Sequence, residues 1–317
     1  MHIDDRIAAL QGSPALQRRC ADAADTAIAR WREENQAVLL DLQKFAQGAA
    51  LEELPNLAWT VSDPRVASSF VDRWVSVFCT LLREEMLAQV PFRHSQSDKL
   101  VTMQIATTDG ASLSLLGYEA MEAAHSAPTA MFVDREIHEI VIAGKGQARR
   151  VSIENQQIIQ TCEPLVAGSM IKLRGSKSTR QIEGVEGRLV ILQLSRVPER
   201  PDLSFTVDIA SGRVLRRACG NKSASRQEMA LAVLGAMNRS DAAATIARLA
   251  ASDAADHLRW EAVRHALALD PVQGFAALHE IGNSPHERLA GPAKNLTDSL
   301  VAAHPQLARM ETAPCPA

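Results

Sequence analysis

Aromatic residues are scarce: one tyrosine, seven phenylalanines and four tryptophans among 317 residues. Stacking platforms for single-stranded nucleic acid or sugar rings are therefore few, and nucleic acid is not an expected partner. No apolar run approaches the ~18 residues of a membrane-spanning helix, so no membrane role is expected. The opening "MHIDDRIAALQGSP" carries acids where a secretory signal carries bases and a long apolar stretch, and the expected compartment is the cytoplasm. The five cysteines (Cys20, Cys79, Cys162, Cys219, Cys315) form no C-x-x-C pair, which removes zinc-ribbon and thioredoxin-type chemistry. Also lacking are a P-loop, a G-x-S-x-G elbow, an H-E-x-x-H helix and a dinucleotide-type G-x-G-x-x-G.

Charge is present but unevenly spread. The formal net charge is −3, yet residues 133–226 hold 16 Lys or Arg against 10 Asp or Glu, and the remainder 18 against 27. A basic middle between acidic flanks favours a small anionic ligand, or docking within the molecule, over general nucleic-acid binding.

Hydrophobic periodicity divides the chain into three parts. Residues 1–90 read as helical. Ser13-Pro14 and Asp63-Pro64 are start signals, followed by apolar stripes at Trp31, Val38, Leu42 and Phe45, and at Val66, Phe70, Trp74, Val77, Phe78 and Leu81. Residues 91–220 read as short strands: a pair around "TTDG", then "TAMFV", "IHEIVIAG", "QARRVSI", "SMIKLRG", "RLVILQLSR", and a last pair joined by "ASG". "IVIA" and "VILQL" are apolar at both parities, so those strands should be covered on both faces, with helices packed outside the sheet. Residues 221–317 return to helix, with a capping box at Ser225 and Glu228 and start signals at Asp270-Pro271 and Ser284-Pro285. The expected class is α+β: N-terminal helices, a central antiparallel barrel or sandwich, and C-terminal helices.

Two resemblances refine this. Within residues 226–303, Ile246 echoes Phe275, Leu249 echoes Leu278, Leu258 echoes Leu289 and Ala262 echoes Ala293. That spacing resembles short HEAT- or armadillo-like repeats. Over residues 110–196 the order of "IHEIVIAGKGQARR", a long excursion, and "PLVAGSMIKLRGSKSTRQIEGVEGRLVILQL" resembles the cupin superfamily. The resemblance implies an antiparallel β-barrel, and in metal-binding members two histidines and a glutamate in the first motif with a third histidine in the second. This chain departs from that set. Upstream of Gly144 it offers only His138 and Glu139, and "RGSKSTRQI" contains no histidine. A reactive metal needs about three converging protein ligands, so no metal cofactor is favoured; iron or another divalent ion on His138, Glu139, His94 and His125 is the conditional alternative.

His138 shares parity with Ile140 and Ile142, which makes it either a hydrogen-bonded strand residue or a polar group in a pocket. Arg174, Lys177 and Arg180, grouped around Gly175, suit recognition of a carboxylate or phosphate; as the plain alternative they are a solvated basic loop. The "GKGQARR" run with Lys145, Arg149 and Arg150 reads in the same two ways. The expected function is a non-catalytic binding or accessory protein. Its cupin-like domain would hold a small, preferentially anionic molecule or a peptide at His138, Arg174, Lys177 and Arg180, and its helices would contact a protein partner or a second copy. The alternatives are a divergent metal-dependent cupin enzyme of oxygenase or isomerase type using His138, and a scaffold without a ligand.

Overall fold

The computed structural model describes residues 12–122, 127–199, 201–218, 220, 222–284 and 287–309. It is α+β and divides into two compact units, Met1–Ala218 and Cys219–Ala317.

The first unit opens with helices α1 (Pro14–Glu34), α2 (Gln36–Ala46), α3 (Pro55–Ser62) and α4 (Pro64–Glu84). Ser13 and Asp63 cap α1 and α4 as their sequence contexts predict; the Asp63 carboxylate accepts from the Arg65 and Val66 amides at 2.8 and 3.1 Å. The apolar stripe from Trp31 to Phe45 is carried by two helices, because the first one stops at Asn35. Its φ and ψ are −115° and 20°, and its side chain donates to the Trp31 carbonyl at 2.8 Å. A short amide that bonds its own preceding turn offers the backbone an alternative to helix continuation. Helix α3, too short to show a period, was not anticipated.

The strands among the described residues are β1 (His94–Ser97), β2 (Leu100–Thr107), β3 (Ala111–Met121), β4 (Thr129–Phe132), β5 (Glu136–Glu154), β6 (Gln157–Val166), β7 (Met170–Arg174), β8 (Ser178–Arg196), β9 (Ser204–Asp208) and β10 (Val214–Ala218). They form an antiparallel seven-stranded sheet in the order β1-β2-β3-β8-β5-β6, with β7 also on β5, and a three-stranded sheet β10-β9-β4. The sequence reading placed a turn at "GKG" and two strands around it. Instead β5 runs unbroken for 19 residues, with register shifts at Val141/Ala143, Gly144/Lys145 and Gln147/Ala148. Gly144, at φ +91°, makes such a bulge possible: a Cβ there would lie 1.8 Å from the Arg188 carbonyl oxygen.

These bulges fold the large sheet on itself. Arg150 lies eleven residues beyond Glu139 on β5, about 36 Å if the strand were straight. Yet Arg180, directly opposite Arg150 on β8, contacts the Glu139 carboxylate. The two halves of β5 and β8 must therefore face each other. Between them lies an inner cluster that includes Leu116, Val141, Ala148, Leu165, Ile171, Val185 and Ile191.

The outer face is covered twice over. Ile140, Leu192, Leu194, Leu113 and Leu115 pack with Trp31, Phe45, Phe70 and Trp74 of the helices. The other half meets Ala130, Phe132 and Val207 of the small sheet through Val151 and Ile153. Burial at both parities of β5 and β8 is thus realised, and each large apolar side chain so buried stabilises the unit by about 1.5–3 kcal/mol.

The second unit contains α5 (Lys222–Ala236), α6 (Ala243–Ala251), α7 (Asp256–Leu269), α8 (Pro271–Asn283) and α9 (Glu287–Ala303) around Leu231, Ile246, Leu258, Val263, Leu278 and Ala293. Asp270 caps α8 through the Val272 and Gln273 amides. Ser225 does not cap α5, which already starts at Lys222; "KSASR" is competent to form helix and nothing in it stops the earlier start. Pro285, of the third start signal, lies outside the described residues.

Candidate functional site

The inner face is apolar around Leu116, Val141 and Ile191, and a transverse row of polar side chains crosses it beside them. Register places Gln104 (β2) opposite Ser114 (β3), Ser114 opposite Gln193 (β8), and Gln193 opposite Glu139 (β5). Four polar side chains on four adjacent strands thus line up across the sheet. One neighbouring row holds Leu116, Ile191 and Val141; the other holds Ser112 and Ser195, whose hydroxyls meet at 3.1 Å, beside Ile137 and Leu173.

Glu139 anchors this row. Its side chain is 1% exposed and that of Arg180 7%. Arg180 grips both carboxylate oxygens, through Nε and through Nη2 at 2.6 Å, and Gln193 Nε2 donates a third bond at 2.6 Å. Burial works against the Arg180 charge, but the adjacent carboxylate outweighs it and holds the guanidinium pKa above its ordinary value. The Tyr118 ring lies 5.9 Å from the guanidinium, and its hydroxyl accepts from Arg180 Nη1 at 3.4 Å. Arg150, facing Arg180 across the strands, is 3.0 Å from Glu163. Two like charges opposite each other are thus each matched by an acid. Gln104 closes the far end, and its Oε1 is buried without a hydrogen-bond partner among the described residues.

The residues singled out from sequence do not converge. His138 and Glu139 are neighbours on a strand and point to opposite faces. His138 is on the outer face: its Nε2 is 2.8 Å from Glu136 Oε1 and its ring meets Phe45 edge-on at 6.4 Å. Arg180 is on the inner face, in the ion pair above. Arg174 ends β7 exposed, and Lys177 is exposed in the turn before β8. Arg149 is buried on the outer face, where it bonds Gln160, Gln181 and the Ala127 carbonyl and lies 3.0 Å from Glu183; Lys145 is exposed. His94 sits exposed on edge strand β1, and His125 lies outside the described residues. No group of three His, Cys, Asp or Glu able to hold a metal occurs among the described residues. The conditional set does not fit a three-ligand centre, because His138 and Glu139 diverge and Glu139 already accepts three hydrogen bonds.

A second polar cluster lies outside. Arg196 Nη2 bonds Glu136 Oε2 at 2.5 Å, and its Nη1 donates to the Phe45 and Ala49 carbonyls at 2.8 Å each. Its guanidinium stacks 4.1 Å from the Phe45 ring. This cluster fastens the carboxyl end of α2 to the sheet by filling carbonyls that a helix end leaves open. Burial pushes the Glu136 carboxyl up, but hydrogen bonds from His138 and Arg196 prevail and hold it below the usual carboxylate range.

Sequence reasoning missed Gln104, Ser114, Gln193 and Tyr118. The available signal was the lone polar letter inside each apolar strand: "MQI", "LSL", "LQL" and "HEI".

No family model matches the chain, and no curated protein matches it. Among solved structures, the capsular polysaccharide assembling protein CapF from Staphylococcus aureus is 17% identical over 47% of this chain and 42% of that one, with a TM-score of 0.28. The Drosophila melanogaster CENP-C cupin domain is 12% identical over 32% and 74%, with a TM-score of 0.26. Vicilin from Corylus avellana is 12% identical over 37% and 34%, with a TM-score of 0.27. This chain spans less than half the length of CapF. Likenesses at this level say nothing about what the chain binds.

Proposed function

We propose that the chain is a non-catalytic binding or accessory protein. Its cupin-like folded sheet holds a small molecule or peptide on the inner row, and its helices, the C-terminal ones paired in HEAT-like fashion, contact a protein partner. The observation that carries this reading is the alignment of Gln104, Ser114, Gln193 and Glu139 across four strands, beside the apolar Leu116, Ile191 and Val141. A few placed polar groups against apolar walls are the usual make-up of a small-molecule site. The non-catalytic part of this reading is supported by how Glu139 is held. Its oxygens already accept from two guanidinium donors and the Gln193 amide, partners that a reacting carboxylate would have to give up. The partner half is supported by Met229, Val233 and Met237, spaced four residues apart along and just past α5 and each more than half exposed.

The test is a thermal-shift screen of the full chain against a panel of metabolite-sized compounds. At least one is expected to raise the melting temperature of the wild type and to leave Gln193→Leu unmoved. If every shift seen in the wild type persists in Gln193→Leu, the inner row is not the binding site.

A further inference from the structure

We propose that the inner row selects an uncharged ligand bearing hydrogen-bond donors, such as a carboxamide or a hydroxyl, rather than an anion. The inference rests on the binding reading above and names the chemistry of its ligand.

Charge gives the first argument. Four ionised side chains reach this face, and they cancel in pairs: Arg180 with Glu139, and Arg150 with Glu163. Arg180 spends Nε and Nη2 on Glu139 and turns Nη1 toward Tyr118, so its charge is already matched by a carboxylate. An anion entering here would meet the Glu139 carboxylate with no uncompensated positive charge to offset the repulsion. The exposed Arg174 and Lys177 stand at the turn before β8 and do not join the row.

Hydrogen-bond accounting gives the second. Within the row the Gln193 amide nitrogen is directed at Glu139, and at the far end the Gln104 Oε1 is buried and unmatched; Arg150 Nε, across the fold, also lacks a hydrogen bond but stands 3.0 Å from Glu163. A buried acceptor without a donor is destabilising, and it is relieved by a group that brings N–H or O–H. Carboxylates, and phosphate groups once fully ionised, bring acceptors only. A carboxamide, or a vicinal diol, brings donors and no net charge. The flanking Leu116 and Ile191, with the Tyr118 ring, form an apolar wall for the body of such a ligand.

Benzamide and benzoate share a shape and differ in these two properties, so they make the test. Each is titrated into the full chain and followed by saturation-transfer NMR and by melting temperature, in the wild type, Gln104→Met, Gln104→Leu and Gln193→Leu. Benzamide is expected to bind, benzoate to bind at least tenfold more weakly, and both Gln104 variants to lose benzamide binding at least fivefold. Those variants should also melt about 2 °C above the ligand-free wild type, because the orphaned acceptor is gone. The two substitutions guard against one failing to fold. Benzoate binding as tightly as benzamide, with binding lost in Gln193→Leu, overturns the donor preference and leaves the binding reading intact. Benzamide binding unchanged in both Gln104 variants overturns the inference as well. Binding of neither compound, with no rise in melting temperature, also overturns it, and the binding reading is then decided by the wider panel.

Discussion

Glu139 and Arg180 show at the scale of single residues how a buried pair constrains what can be changed. Removing one partner leaves a charge without compensation, whereas removing both leaves an apolar gap that neighbours can fill. Glu139→Gln is expected to destabilise the first unit by about 3–5 kcal/mol. The double substitution Glu139→Met with Arg180→Met is expected to recover most of that loss. Chemical denaturation of the two variants and the wild type checks both; a double variant no more stable than the single one would show that the pair is not the source. The sequence revealed half of this arrangement. The parity of His138 with Ile140 and Ile142 correctly puts it among apolar residues, and the same alternation sends Glu139 to the other face. What alternation does not reveal is which distant strand supplies the counter-charge. Arg180 reaches Glu139 only because two strands bend, and bending leaves its trace in glycines that read equally well as a turn.

Among the elements, the junction of α2 with the sheet has a pH dependence that can be derived. The Glu136 carboxyl is held below its usual range by His138 and Arg196, opposed by burial. A group whose pKa is lower folded than unfolded stabilises above the unfolded value, about 4.3 for glutamate, and that contribution disappears as pH falls through the folded value. The melting temperature of the wild type should therefore fall more steeply below about pH 4.5 than that of Glu136→Gln. Identical acid limbs would remove Glu136 from the account. Elements with strong local signals were legible: Ser13, Asp63 and Asp270 cap helices as their contexts predict, and the "TTDG" and "ASG" turns join the strands they separate. Strand β6 was passed over because "QIIQTCEPLV" lies on a sheet edge, is mostly exposed and contains Pro164, so it carries little apolar alternation. The inner row stayed hidden for another reason. Its four residues come from four strands, and register across a sheet is set by tertiary packing, not by neighbours in sequence.

At the scale of the whole molecule, the two units have separate cores. The cluster around Leu278 and Val263 shares no residue with those around Phe70 or Ile191. Calorimetry should accordingly resolve two transitions, and Leu278→Ala should lower only one of them, by about 2–5 kcal/mol in stability. A single transition that moves as a whole would mean that the units melt together. The order of strands has a further consequence, in time. Strand β3 pairs on one side with β2, immediately before it, and on the other with β8. About sixty residues separate the end of β3 from the start of β8, and at ribosomal rates these take about 3–12 s to synthesise. Throughout that interval one edge of "LSLL" stands open on the nascent chain, an unpaired apolar strand edge of the kind a holdase covers.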